Sequence, residues 1–507
     1  MMAAMSLKTD NRLKDLLQGI IELPDEMDRV VGKPCLDSRQ LATGDLFLAC
    51  AGQTVHGFDY VDLAIEKEVS AILWEANPDI ETLPFSWRKT PQGNQVPLVA
   101  IPNLSQQVGV IADRYYEHPS DKLFVTGITG TNGKTSCSQF LAQVLSEDRP
   151  CGVIGTLGNG LYGKLNESSH TTPDAVACQT FMSDLLDDGV SDLVMEVSSH
   201  ALEQGRVNGV KFDCAVFTNL SRDHLDYHGD MQAYAEAKAK LFGFDKLKFA
   251  VVNVDDEFGR ELSERISEPV QLIRYGISDE YLKPDVFASQ LNLSSDGLQF
   301  EIETPWGRGA VSANLMGQFN VSNLLAVLSV LILHGMSLNE AIEKLSDLNP
   351  VSGRMESLHQ QDKPAVVIDY AHTPDALEQV LFSLRAHCAG QLWCVFGCGG
   401  DRDKGKRPLM GEIADRLADV VVLTNDNPRT EPADAILADI QTGLTGHSEC
   451  HVMADRASAI AYAIKHACSK DIVLIAGKGH EDYQLIGEQR LSFSDMEEAR
   501  KQLGLVA

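Results

Sequence analysis

The chain has 507 residues, with 43 Lys+Arg against 72 Asp+Glu and a formal net charge of −29. That length accommodates about three domains, and a 44% hydrophobic content with no long apolar run argues against both disorder and a membrane-spanning helix. The acidic balance argues against nucleic-acid binding, which needs a basic surface, but is compatible with an anionic small molecule held by a few focused cations.

Short apolar runs alternate with amphipathic segments almost throughout, the pattern of α/β domains with largely parallel sheets. The N-terminal MMAAMSLKTDNRLKDLL lacks the apolar core and cleavage pattern of a signal peptide, so the cytoplasm is the expected location. Residues 45–51 and 70–74 read as strands around a helix-like VDLAIEKEV, and the polar RKTPQGNQVP closes a first domain, 1–102. The second, 103–350, runs strand 123–128, glycine-rich turn, helix 135–145, strand CGVIGT, loop, helix and strand 192–197. Further strands are expected at 212–220 and 249–254, and helices at 321–333 and 338–348, before Asn349-Pro350 breaks the pattern. In the third, 351–507, strands at 365–370, 392–397, 419–424 and 471–477 interleave with helices as in a doubly wound, Rossmann-like sheet.

The strongest local signal is Gly130-Thr131-Asn132-Gly133-Lys134-Thr135-Ser136, after an expected strand and opening a helix. Glycines let backbone N–H groups wrap phosphate oxygens, lysine supplies a point charge, and the Thr135 hydroxyl can ligate magnesium. The strict spacing would require glycine at Ile128; the nearest upstream glycine is Gly127. A second pattern, Gly158-x-Gly160-x-x-Gly163, precedes polar KLNESSHTTPD rather than a crossover helix and reads as a flexible loop. Glu196-Val-Ser198-Ser199-His200 ends a strand where ligands bind in open α/β sheets, and a carboxylate there can hold magnesium beside a phosphate loop. His224 and His228 share a helix-like spacing, but the surrounding ligands are hard oxygens and suit magnesium or phosphate better than zinc. The 11 cysteines form no Cys-x-x-Cys pair, which points to reduced thiols.

In the third region Gly397-Cys-Gly-Gly-Asp401-Arg402-Asp-Lys404-Gly-Lys406-Arg407, Asp426-Asn427-Pro428-Arg429 and Gly477-Lys478-Gly479-His480-Glu481 each follow a strand. Recurrence at three strand ends points to one binding cleft rather than to a solvated charge run.

Together these motifs resemble the Mur ligases, the ATP-dependent amide-forming family of bacterial cell-wall synthesis, over nearly the whole length. Leu36-Asp37-Ser38-Arg39 with Gly44-Asp45-Leu46-Phe47 is similar to the family's UDP-binding domain, and TGTNGKTS, EVSSHAL, NLSRDHLDYHG, GQFNVSN, SGRME and DYAHTPDAL are similar to its later signatures, in order. The resemblance implies a small UDP-binding α/β domain, a central P-loop-type ATPase domain and a C-terminal amino-acid-binding domain. It also implies a monomer acting on UDP-MurNAc-L-Ala-D-Glu, ATP and an amino acid, in cytoplasmic peptidoglycan precursor synthesis. DNPR, here 426–429, resembles the motif of members that add meso-diaminopimelate; in lysine-adding relatives the position of Arg429 differs.

By the same resemblance, residues 130–136 with Asn320, Arg354 and Asp369 hold ATP. Thr135, Glu196, His224 and a carbamate on Lys238 hold magnesium. Leu36, Ser38, Gln53, Thr54, Val55, Thr171, Thr172, Ser198, Gln204 and Arg206 hold the UDP-sugar dipeptide, with His170 where some relatives carry asparagine. Arg402, Asp426, Asn427, Pro428, Arg429, Gly477 and Glu481 hold meso-diaminopimelate. Read from the sequence alone, Lys238 is an ordinary exposed helix lysine; its role comes from the resemblance. The rival readings are a lysine-adding Mur ligase, folylpolyglutamate synthetase, and a P-loop switch or non-catalytic scaffold that keeps the motifs.

Overall fold

A computed structural model describes residues 11–52, 55–76, 83–168, 170–294 and 297–505. The chain forms two compact units, one of residues 1–252 and 256–272 and the other of residues 253–255 and 273–507.

The first unit opens with a five-stranded sheet in the order Pro34–Cys35, Leu46–Ala49, Ala71–Ala76, Gln95–Pro102, Phe85–Lys89. All neighbours are parallel except the last pair. The polar run RKTPQGNQVP is therefore not a simple linker: its ends lie in two paired strands. Phe85–Lys89 is paired along one side only and carries polar residues with little burial, which hides it from hydrophobic patterning.

Farther along this unit, Phe124–Thr129 lies between Asp192–Glu196 and Cys214–Phe217, all parallel. Cys151–Gly155 pairs with Asp192–Glu196 and Phe249–Asn253 with Cys214–Phe217. Their buried residues form near-continuous apolar runs, as expected of parallel strands covered on both faces. The glycine pattern 158–163 corrects the loop expectation: Gly158–Leu161 and Lys164–Asn166 are strands of an antiparallel hairpin extending from Cys151–Gly155. Gly158 (φ 132°), Gly160 (φ 138°) and Gly163 (φ 81°) adopt backbone geometry that side chains disfavour, and this conformational need explains the spacing without a dinucleotide.

The second unit contains the antiparallel strands Val286–Ser294, Gly297–Thr304 and Gly307–Ala313, absent from the sequence-based assignment, and helices Phe319–Leu333 and Leu338–Ser346. It also holds a six-stranded sheet in the order Glu356–Leu358, Ala365–Asp369, Ile472–Ala476, Leu392–Phe396, Val420–Leu423, Glu449–Val452. The four interior strands match the expected ones to within a residue or two; the two outer ones are short and partly exposed. Every pairing but the first is parallel, so the loops after Asp369, Phe396, Leu423 and Ala476 leave along one edge. Among the described residues no helix is long and apolar enough to cross a membrane.

Candidate active site

In the first unit the parallel register sets Glu196 beside Ile128 and Phe217 beside Thr129, so the segments after three strands emerge together. Gly130 (φ 147°) passes so close to the next strand's loop that a Cβ would lie 1.9 Å from the Thr218 hydroxyl oxygen. Gly133 (φ 85°) opens helix Lys134–Leu145 without a side-chain cap, which turns the helix's positive dipole end toward an anion. Asn219 braces the loop, accepting from the Asn132 N–H at 2.9 Å and donating to its carbonyl at 3.1 Å. Lys134 Nζ donates to the Gly130 and Thr131 carbonyls, both at 2.8 Å. Gly127, by contrast, is a packing residue: a Cβ there would meet the Phe212 ring at 2.7 Å.

Glu196 is fully buried. Its Oε2 accepts from the Thr135 hydroxyl at 2.9 Å and the Thr156 hydroxyl at 3.0 Å, and its Oε1 accepts from the Thr156 N–H at 2.9 Å. Among the described residues no group of three or more His, Cys, Asp or Glu side chains could hold a metal by itself. A carboxylate and a hydroxyl beside an uncapped helix start are hard oxygen donors that suit magnesium. His224 adopts a left-handed conformation (φ 53°), with its ring 4.8 Å from that of His200 and 6.1 Å from that of Tyr234.

Lys238 departs from the sequence reading. Asp230 caps helix Met231–Ala239, and the four-residue spacing sets Tyr234 and Lys238 on the same inward face. Lys238 is 1% exposed, with its nitrogen 4.3 Å from the Tyr234 ring centre and donating to the Gly130 carbonyl at 2.8 Å. Burial pushes its pKa well below the usual lysine range; the Lys134 charge adds to this and Asp223 opposes it.

The residues expected for the UDP-sugar dipeptide are joined in part. The Thr172 hydroxyl donates to the Glu196 carbonyl at 2.8 Å and accepts from the Ser198 N–H at 3.1 Å. Arg206 donates to the Thr172 carbonyl at 2.9 Å and grips Gln204 Oε1, while Gln204 donates to the Tyr227 hydroxyl at 3.0 Å. Thr171 lies 3.1 Å, hydroxyl to hydroxyl, from Thr156. Leu36 is half-buried, Ser38 is buried at the start of a turn capped by Asp37, and Val55 is exposed. Gln53 and Thr54 lie outside the described residues.

In the second unit Asn427 is fixed from both ends: its Oδ1 accepts from the Leu485 N–H at 2.9 Å and Lys478 Nζ at 3.2 Å, and its Nδ2 donates to Glu481 at 2.9 Å. Lys478 is wholly buried and also donates to Glu481, at 2.8 Å. Burial pushes the Asp426 carboxyl up, opposed by Arg456 and Lys478. A Cβ on Gly477 (φ 115°) would lie 2.6 Å from Asp426 Oδ2. Pro428 is buried between Asn427 and Arg429. Arg429 (φ 51°) pairs through its backbone with Leu485 and Gly487, and its Nη1 donates to the Gly400 carbonyl at 2.9 Å. Its Nε and Nη2 make no hydrogen bond among the described residues. Arg402 is exposed, and a Cβ on Gly399 would meet Arg429 Nη1 at 2.9 Å and the Arg402 side chain at 3.7 Å.

Asp369 is buried and accepts from the Met355 and Ala371 N–H groups, each at 2.8 Å. Arg354 lies 5.4 Å from the Tyr370 ring centre with a buried, unpaired Nε. Asn320 donates to the Met316 carbonyl and accepts from Asn323, so its amide is engaged at both ends. Arg407 corrects the expected cation cluster: it is fully buried and paired with Glu431 at 3.0 Å and Asp439 at 2.9 Å, a structural role. Thr156 and Asn219 were not singled out from sequence; the expected strands CGVIGT and 212–220 included them, whereas Thr156 directly follows Gly155 and Asn219 lies two residues past Phe217.

Comparison with known proteins places the chain in one family. The Mur ligase family catalytic domain matches residues 35–116, the Mur ligase middle domain 128–331, and the Mur ligase glutamate ligase domain 353–479. A UDP-N-acetylmuramoyl-L-alanyl-D-glutamate–2,6-diaminopimelate ligase of Coxiella burnetii is 49% identical over 474 residues, 92% of this chain and 94% of that protein. One of the same name from Alkalilimnicola ehrlichii is 46% identical over 494 residues, 97% of this chain and 99% of that protein. A solved structure of a ligase of that name matches with a TM-score of 0.75 at 36% identity, covering 98% of this chain and 99% of the other. Matched from its N-terminal sheet to its last strands, the chain belongs to the three-domain, α/β Mur ligase family.

Proposed function

We propose that the chain is an ATP-dependent ligase that adds meso-diaminopimelate to UDP-MurNAc-L-Ala-D-Glu, in peptidoglycan precursor synthesis. The observation that carries the reading is one constellation, in a chain nearly half identical to ligases of that name. An uncapped helix start and Lys134 meet Glu196 and Thr135 beside the buried Lys238 amine. The domains are residues 1–102 for the UDP-sugar, 103–350 for ATP and 351–507 for the amino acid; the enzyme is a monomer of the cytoplasm.

The terminal carboxylate of the dipeptide attacks the γ-phosphorus of ATP, ADP leaves, and the acyl phosphate is attacked by the incoming amine. Phosphate then departs from the tetrahedral intermediate. Lys134 and the loop N–H groups hold the ATP phosphates in line, and Asn320, Arg354 and Asp369 are assigned to the nucleotide. Leu36, Ser38, Gln53, Thr54, Val55, Thr171, Thr172, Ser198, Gln204 and Arg206 hold the UDP-sugar dipeptide. Thr135 and Glu196 would hold a magnesium ion, and His224 and carbamylated Lys238 a second, whose charge would neutralise the transferring phosphoryl group.

The Lys238 site fits that modification: carbon dioxide adds to a neutral amine, forming an N–C bond and releasing a proton, and burial favours the neutral amine. Arg402, Asp426, Asn427, Pro428, Gly477 and Glu481 shape the amino-acid pocket. Arg429 selects meso-diaminopimelate over lysine, because its unpaired nitrogens offer a fork to the carboxylate that lysine lacks.

Oxygen-18 placed in the dipeptide's terminal carboxylate tests the chemistry. Transfer of label into the released phosphate is expected; unlabelled phosphate with full turnover contradicts an acyl phosphate.

A further inference from the structure

Strand Cys151–Gly155 ends beside Asp192–Glu196, with Ile154 level with Met195. At its last position there is no room for a side chain, because a Cβ on Gly155 would lie 2.4 Å from Glu196 Oε1. The next residue, Thr156, then supplies a donor to each oxygen of the same carboxylate: its N–H to Oε1 at 2.9 Å and its hydroxyl to Oε2 at 3.0 Å. Two donors from one residue, one on each oxygen, fix the plane of the carboxylate and not just its position. A threonine hydroxyl has a single proton. With that proton on Glu196, the Thr156 oxygen is the acceptor in its 3.1 Å contact with Thr171, whose hydroxyl donates. The result is a directed chain, Thr171 O–H to Thr156 O–H to the Glu196 carboxylate.

We infer that Thr156 is a positioning residue that sets the Glu196 carboxylate for magnesium and ties it to the dipeptide subsite at Thr171. The inference rests on the reading of Glu196 and Thr171 in the proposed function. A hydroxyl that donates and accepts at once is polarised by its neighbours. The Thr171 donation therefore strengthens the Thr156 donation in turn, and loss of either hydroxyl loosens the Glu196 carboxylate.

The test is calorimetric binding of ADP over a magnesium titration, using the wild type, T156V, T156S, T171V and the T156V/T171V pair, each checked for a native melting transition. T156V keeps the backbone donor and the shape but loses the hydroxyl. Its half-saturating magnesium concentration is expected to rise on the order of tenfold, the scale of lost support for a metal-ligating carboxylate. T156S, which keeps the hydroxyl, is expected within about twofold of the wild type. T171V is expected to shift the wild type but to add nothing to T156V, because its effect passes through the missing hydroxyl. T156V at the wild-type value, T156S as impaired as T156V, or T171V acting undiminished in the T156V background overturns the inference. The readout needs neither dipeptide nor amine: a wild type that binds ADP with magnesium but does not ligate overturns the substrate reading alone. A wild type with no magnesium-dependent ADP binding overturns both.

Discussion

The side-chain nitrogen of Lys238 lies 2.8 Å from the carbonyl oxygen of Gly130, the same oxygen that accepts from Lys134. The Lys238 amine is thus anchored to the backbone of the glycine-rich loop across 108 residues of sequence. In the proposed reaction any change of charge on Lys238 is felt at the ATP phosphates, and a carbamate there would offer a cation an anion in place of a repelling ammonium.

Lys238→Ala is therefore expected to lower kcat on the order of a hundredfold, the scale of losing one preorganised electrostatic group. Short carboxylic acids added to the mutant should restore part of the rate by occupying the vacated space. Steady-state kinetics with and without acetate checks this; undiminished activity in the mutant removes Lys238 from the mechanism.

Arg429 is held by Nη1 on the Gly400 carbonyl, with the rest of its fork available. Losing a charged hydrogen-bonding group should raise the KM for meso-diaminopimelate by about tenfold to a hundredfold in Arg429→Ala. Arg429→Lys restores the charge but not the planar fork and should recover only part of the affinity. An unchanged KM in either variant shows that the far carboxylate is read elsewhere.

His387 gives a stability prediction with a definite sign. Its Nδ1 lies 2.7 Å from the Ser294 carbonyl, so Nδ1 carries the proton, and Nε2 accepts from the Gly317 N–H at 2.9 Å. Burial lowers its pKa below the ordinary 6.5, with the Ser294 carbonyl opposing. Below that value the unfolded chain binds the proton more readily than the folded one, so the stabilisation is present above it and lost as pH falls toward the folded pKa. The single group limits this slope to ~1.4 kcal/mol per pH unit. Melting of wild type against His387→Gln, which does not titrate, should show the difference between them shrinking from about pH 7.5 to about pH 5.5. A constant difference contradicts it.

The positions of the glycine-rich loop, Glu196 and the three C-terminal loops were legible because each lies at or just past the end of an apolar strand, where an open α/β sheet presents ligands. Lys238 was not. Its burial arises from Gly130 and helix packing far away in sequence, and a lysine among alanines carries no local mark of that. Thr156 was hidden for the same reason: only the register of two strands brings it to Glu196. Arg407 erred in the other direction, a cation in a cation-rich run that turns inward to Glu431 and Asp439. The strands 286–313 pair as antiparallel neighbours and alternate buried with exposed residues, so they lack the continuous apolar runs that marked the others.

The most direct measurement is phosphate release from ATP with magnesium and UDP-MurNAc-L-Ala-D-Glu, comparing meso-diaminopimelate with L-lysine as the added amine. Strong stimulation by meso-diaminopimelate and little by L-lysine is expected. Equal stimulation by both, a preference for lysine, or no stimulation by either contradicts the proposed activity.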